Sequence, residues 1–220
     1  IVKSSFDFKV FEKLRQIQVF TKEETFLLKE IDEKFQRRFS ELAPDEYHKE
    51  MERLAIDLSW KSSQIEGNTY SLLETELLLR EKRTASGKTK DEATMLLNHT
   101  QAIDFLVSNS DYAEEISVRA IEELHAILIR ELGINKNIRR RRVGITGTNY
   151  QPLDNEFEIR EALEKTCDLI NAAQNGYEKA FLALLLVSFI QPFSDGNKRT
   201  ARILSNAILL SNGLCPISFR

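Results

Sequence analysis

The stretch Gln191-Pro192-Phe193-Ser194-Asp195-Gly196-Asn197-Lys198-Arg199-Thr200-Ala201-Arg202 gathers the residue types that handle phosphate. It joins one strongly apolar segment, Tyr177 to Ile190, to another, Lys198 to Asn212, and so reads as a turn between two helices. The N–H groups that open the second helix lie at the positive end of its dipole. Gly196 permits a turn that gathers several amides in one concavity. Lys198, Arg199 and Arg202 add positive charge in the first turn and a half, where cations oppose the dipole; an anion bound at the loop resolves that conflict. Arg199 and Arg202 are i and i+3 and share a face. Asp195 is the loop's only carboxylate, and beside a polyphosphate it could hold Mg2+. The residues thus point to a phosphate site with a metal carboxylate. Without a ligand, the same stretch is a helix start with Asp195 as N-cap and exposed basic side chains.

A second pattern lies far upstream. Ser62 and Glu66 are i and i+4 on one helix face, with Glu66 at the helix end and Gly67 as the exit turn. On its own this is an ordinary acid near a helix end.

Together the two patterns resemble the Fic family. The family signature, HxFx(D/E)GNGRxxR, falls on Gln191, Phe193, Asp195, Gly196, Asn197, Lys198, Arg199 and Arg202. Two positions depart from it: Lys198 stands for a Gly, and Gln191 stands for the catalytic His. Ser62 to Gly67 resembles the family's inhibitory helix, (S/T)xxxE(G/N). Glu122 to Leu128 and the segment after it look like the family's preceding helix and flap. The resemblance covers about residue 50 to the end.

It implies a domain that binds ATP and moves AMP onto a target hydroxyl. By resemblance, Asp195 would hold Mg2+ against the α- and β-phosphates. Gly196 and Asn197 amides, with the Asn197 side chain and Lys198 beside them, would cradle the phosphates. Arg199 and Arg202 would contact the β- and γ-phosphates, and Phe193 would anchor the loop. Glu66 would pair with Arg202 and deny the γ-phosphate its contact, since one Arg fork takes one carboxylate or one phosphate. The missing His would be the general base. Gln191 has no titratable acceptor near neutral pH, and a lost general base costs about 10²–10⁴-fold. The expectation is nucleotide binding retained and transfer impaired, with ATP sensing or removal of AMP as alternatives. Val143 to Pro152 would be the flap, a β-hairpin on which an extended target pairs, with Val143, Ile145 and Tyr150 facing it.

These residues need helices to position them, and the sequence supplies helices. Thr21 and Glu24 make a capping box for a helix to Leu42, with Leu27, Ile31, Phe35 and Phe39 on one face. Further helices are expected over 46–66, 71–80, 91–107, 117–132, 159–173, 177–190 and 198–212. Tyr177–Ile190 is expected to be the central buried helix. The break at 134–158 contains the expected hairpin. The domain reading is a helical extension over 1–45, an inhibitory helix and lead-in over 46–110, and a Fic-type core over 111–220. Overall, a mainly α helical bundle with one small β-hairpin is expected.

Composition agrees. Eight glycines and four prolines in 220 residues leave too few turns for a many-stranded β fold. With 31 basic and 34 acidic residues, net charge is −3, which argues against a nucleic-acid-coating protein. Nucleic acid would enter only through an accessory domain. The longest apolar run is too short for a membrane span. Cys167 and Cys215, with no CxxC, point to a reducing, cytoplasmic setting. The basic run Arg139–Arg142 reads as a solvated loop paired with acids or as an approach to nucleotide. His125 reads as a hydrogen-bonded core histidine. The chain begins at Ile1 and is expected to be a piece of a longer protein, and its partners are ATP and an unidentified target, with a homo-oligomer left open.

Overall fold

A computed structural model describes residues 4–109, 111–145 and 147–219. In chain order its elements are β1 (Ser4–Ser5), α1 (Lys9–Gln16), α2 (Lys22–Ser40), α3 (Pro44–Ile65), α4 (Leu72–Glu81), α5 (Lys90–Ser108), α6 (Val118–Leu128), β2 (Tyr150–Gln151), α7 (Glu156–Ala172), α8 (Gly176–Ile190) and α9 (Asn197–Ser211). The fold is mainly helical, as expected.

Local chemistry sets the helix starts. Thr21 with Glu24, Ser71 with Glu74 and Thr89 with Glu92 form reciprocal capping boxes at α2, α4 and α5. Pro44 opens α3 from its first position, where its missing N–H costs nothing. The helix α1 was not expected; its eight residues bury Phe11 and Leu14.

The helices α8 and α9 pack against each other at the centre, with α7 on α8, α5 and α6 on α9, and α3 reaching α9 from beside α5. The helix expected to be most buried, α8, keeps Phe181 and Leu185 partly exposed. The more enclosed element is α9, buried from Asn197 through Leu209 except at Lys198. Its enclosed residues include Arg199 and Arg202, so the fold takes two guanidinium groups out of water. Such groups need partners or a ligand.

The apolar stripe of α2 differs from expectation. Leu27 and Ile31 are largely exposed, and no residue of α2 is buried. That helix is tied down by polar bonds: Tyr177 donates to the Leu28 carbonyl at 3.1 Å, and Asp32 accepts from the Cys215 N–H at 3.0 Å.

Candidate phosphate site and the end of α3

The loop between α8 and α9 is held by its own side chains. Gln191 ends α8 in the left-handed region, at φ 52°. Its N–H donates to the Val187 carbonyl at 3.1 Å and its Nε2 to the Ser188 carbonyl at 2.6 Å, so the carboxamide folds back on its own helix. Phe193 is fully buried and stacks on His125, with ring centroids 3.6 Å apart. Asn197 grips Phe193 from both sides: its Oδ1 accepts from the Phe193 N–H and its Nδ2 donates to the Phe193 carbonyl, each at 2.8 Å.

His125 sits between two carbonyl oxygens, Asp195 O at 3.0 Å from Nε2 and Lys136 O at 3.3 Å from Nδ1. A neutral imidazole has one N–H and satisfies only one of them fully. Burial pushes the ring's pKa down to about 4, although both carbonyls favour the proton. It is a core histidine, as the sequence suggested.

Gly196 begins α9 with φ 78°. A Cβ there would meet Ile129 Cγ2 at 3.2 Å and His125 Cδ2 at 3.4 Å. Both the dihedral and the packing therefore call for glycine. Asp195 projects from this turn with its side chain 66% exposed. One carboxylate oxygen accepts from the Gly196 N–H at 2.6 Å, and the other lies 3.8 Å from Arg199 Nη2.

The two arginines differ sharply. Arg202 is filled: its Nε donates to Ser62 Oγ at 3.0 Å, and its Nη2 donates to the Ser62 carbonyl at 3.1 Å and to Glu66 Oε1 at 2.6 Å. Arg199 is 3% exposed, yet its Nε and Nη1 have no hydrogen-bond partner among the described residues. Burial lowers its pKa, opposed by Asp195 and Glu66. Two buried donors without partners are costly.

The end of α3 is fixed from behind. After Glu66, Gly67 turns with φ 88°, and Asn68 donates through Nδ2 to the Glu92 carbonyl at 2.8 Å. The Glu92 carboxylate accepts from the Thr69 hydroxyl and amide and from the Thr89 amide, bonds that hold its pKa down at about 2.

A model of the Fic/DOC family matches residues 115–209. The chain carries a Fic/DOC domain. Among relatives, the protein adenylyltransferase fic-1 of Caenorhabditis elegans is 31% identical over 162 residues, covering 70% of this chain and 31% of that protein. The protein adenylyltransferase Fic of Nematostella vectensis is 29% identical over 170 residues, covering 73% of this chain and 39% of its own length. The chain thus spans less than half of the length of these relatives. Among solved structures, Fic-1 (residues 134–508) from C. elegans superposes with a TM-score of 0.69 at 26% identity, over 90% of this chain and 62% of that one. A Fic-domain signalling protein from Bacteroides thetaiotaomicron gives 0.73 at 22% identity, over 87% and 75%, and shares the fold.

The Fic/DOC match takes in α6, α7, α8, the loop and nearly all of α9, whereas Ser62 and Glu66 lie outside it. Tertiary packing of α3 on α9 is what brings them to the loop. Phe193, Asp195, Gly196, Asn197, Arg199 and Arg202 are all gathered there. Lys198 is exposed. One expectation is corrected: the Asn197 side chain does not face the open side of the loop. It is committed to Phe193, because a buried backbone N–H and carbonyl must be paired, which leaves only its amide for an anion.

The segment 143–152 also differs from the expected hairpin. Thr146, part of that segment, lies outside the described residues. The chain does turn there, with the Thr148 N–H donating to the Ile145 carbonyl at 3.1 Å. Val143 and Ile145 are in no strand, however, and the only sheet among the described residues pairs Tyr150–Gln151 in parallel with Ser4–Ser5. Charge holds the arms instead: Arg142 pairs with Asp154 at 2.6 Å and Arg140 pairs with Glu156. Tyr150 stacks on Phe189 and donates its hydroxyl to the Phe189 carbonyl at 2.9 Å.

Sequence reasoning missed Arg139. Its guanidinium is buried and donates to the carbonyls of Gln191 (2.6 Å), Arg141 (2.9 Å) and Leu153, closing the C-terminal end of α8. A cation at that end also meets the negative pole of the helix. Nothing in the run Arg139–Arg142 distinguishes the buried member except its following Ile138, which is buried beside it. His99 was also passed over. It is buried, neither ring nitrogen has a partner among the described residues, and burial, with Arg202 and Arg199 nearby, pushes its pKa down to about 3.

Proposed function

We propose that this Fic domain binds ATP with Mg2+ at the start of α9 and transfers AMP to a hydroxyl of a target protein, held in check by Glu66 and slowed by Gln191. The observation that carries the reading is Arg199, whose Nε and Nη1 are buried at a helix start with no partner among the described residues. A phosphate oxygen is the acceptor that such donors fit, and the first N–H groups of α9 would complete the cradle.

Asp195 fits a metal bound together with a nucleotide. Its carboxylate is exposed, with one oxygen hydrogen-bonded to the Gly196 N–H and the other only 3.8 Å from Arg199 Nη2. Among the described residues no three acidic, His or Cys side chains converge into a metal site. Magnesium tolerates such a site when phosphates and water supply its other ligands. When bound, it would offset charge on the α- and β-phosphates.

The rest is the work of this chain's own groups. Gly196, Asn197 and Lys198 amides would hold phosphate oxygens. Arg199 would take the β-phosphate. Arg202, occupied by Ser62 and Glu66, would be withheld from the γ-phosphate until α3 lets go. Gln191 could orient a target hydroxyl without accepting its proton. Val143, Ile145 and Tyr150 line the segment on which the target would dock.

The test is transfer of AMP from α-labelled ATP by the chain and by Gln191→His, alongside ATP titration with and without Mg2+. Binding that needs Arg199 and Mg2+, with transfer rising about 10²–10⁴-fold in Gln191→His, is expected. Absence of ATP binding, or equal transfer in the two forms, overturns the reading. Gln191 itself favours a second reading, a nucleotide-sensing module without transfer. Tight ATP–Mg2+ binding with no AMP product in either form would select it.

A further inference from the structure

The edge of β2 already carries an extended segment. Ser4 pairs with Tyr150 and Ser5 with Gln151 in parallel register, and the Phe6 N–H extends the ladder to the Gln151 carbonyl at 3.2 Å. Neither Ser4 nor Ser5 buries its side chain. What fixes the segment follows it. The Phe6 ring lies 5.2 Å from Phe189 and from Phe8 and 6.1 Å from Phe11, and Phe11 is buried in the core. Anchored residues therefore hold a short, exposed pairing at high effective concentration. A two-residue ladder of exposed residues opens at little cost compared with the core.

The paired edge is also tied to the loop. Tyr150 stacks on Phe189 at 4.6 Å and donates to its carbonyl, and Phe189 lies two residues before Gln191. A segment paired with Tyr150–Gln151 is thus seated on the same residue that leads into the position of the missing base.

We infer that Ser4–Phe6 is a resident strap on the docking edge, and that an extended target segment with small residues at the paired positions and an aromatic residue next binds by displacing it. This rests on the reading of the Tyr150 segment as the target-docking edge. Backbone bonds would give such a target its hold, and the Phe189 shelf would select the aromatic side chain that Phe6 now supplies. The strap lowers the apparent affinity for any such segment by the fraction of molecules in which the edge is open.

The probe is a synthetic peptide with the sequence of residues 1–8, titrated to low-millimolar concentration into 15N-labelled protein. In the Phe6→Pro variant, which removes both the N–H to Gln151 and the ring on Phe189, saturable shifts are expected at Tyr150, Gln151 and Phe189. The parent chain should bind at least about tenfold more weakly, as a strap closed in roughly nine molecules of ten requires. Phe6→Ala keeps the backbone donor and should fall between them. It also guards against misfolding of the proline variant, which its own 15N spectrum would reveal. Equal affinity in parent and variants overturns the strap, as does the absence of shifts in folded variants. The titration needs neither ATP nor transfer. Peptide binding without any AMP product would therefore sink the transferase reading and leave the strap standing.

Discussion

Glu66 accepts a hydrogen bond from Arg202 at 2.6 Å across a sequence separation of 136 residues. The contact is not isolated. Ser62, one turn earlier on α3, takes the same guanidinium through both its hydroxyl and its carbonyl. One helix face therefore occupies Arg202, while Arg199, one turn earlier on α9, keeps two buried donors free of partners among the described residues. Two arginines at i and i+3 stand in opposite states, one satisfied by protein and one not.

Glu66→Gly should release the Arg202 fork from its strongest partner while Ser62 still holds it in place. ATP affinity is expected to rise by about tenfold, a gain of the size that one charge-assisted contact provides. Calorimetric titration of ATP–Mg2+ checks it, and ADP supplies the control because it lacks the γ-phosphate. An equal gain for ADP, or none for ATP, would argue against a γ-phosphate block.

This pairing shows what the sequence made legible. The spacing of Ser62 and Glu66 placed them on one face, and resemblance supplied the partner. The start of α2 was legible because Thr21 and Glu24, three positions apart, satisfy each other's local donors; the same boxes at Ser71 and Thr89 emerged only in the structure. The loop was legible because Gly196 and clustered basic residues stand between two apolar segments, while the roles assigned to its residues came from the resemblance. Arg139 was not, since its partners are carbonyls far along the chain and its neighbours are also arginines. The hairpin expected over 143–152 was misread because a turn signal in the sequence does not name a strand's partner: Val143 and Ile145 join no strand, and Tyr150–Gln151 pairs with Ser4–Ser5, far away in the sequence. The stripe on α2 was only partly right: Phe35 and Phe39 lie on the half-covered face, but that face continues through Leu28 and Asp32, and the expected Leu27 and Ile31 are exposed.

Gly196→Ala tests the loop itself. The left-handed backbone costs an L-residue about 1–2 kcal/mol, and the added Cβ presses on Ile129 and His125. Chemical denaturation should show a loss of about that size. Because the turn sets the direction of the α9 amides, ATP binding should weaken along with stability. Full stability with lost binding, or the reverse, would separate the two roles assigned to this glycine.

Arg139→Lys keeps the charge at the end of α8 but not the planar fork that reaches several carbonyls. A loss of about 1–3 kcal/mol is expected from the acceptors left unpaired. Arg140→Lys, on an exposed side chain, is the control and should change little. If both variants unfold at the same denaturant concentration, the buried arginine is not closing the helix.

Two buried histidines make the fold sensitive to acid. The pKa of His99 is held down at about 3, first by burial and then by Arg202 and Arg199, and that of His125 at about 4, first by burial. Both are bases whose folded value lies below the ordinary 6.5. The unfolded chain therefore takes up protons that the folded chain refuses. Their contribution is complete above pH 6.5 and falls as pH drops, with two protons bound on unfolding down to about pH 4 and one more step lost toward pH 3. Urea midpoints measured from pH 7 to pH 4 should fall accordingly. His99→Leu fills similar space, needs no partner for its side chain and cannot protonate. It should flatten that slope by about one proton and leave the variant more stable than the parent at pH 5. An unchanged slope would mean that His99 is protonated or hydrated in the folded protein, and the buried cluster around Arg199 and Arg202 would then have to contain a proton or water that pairs with it.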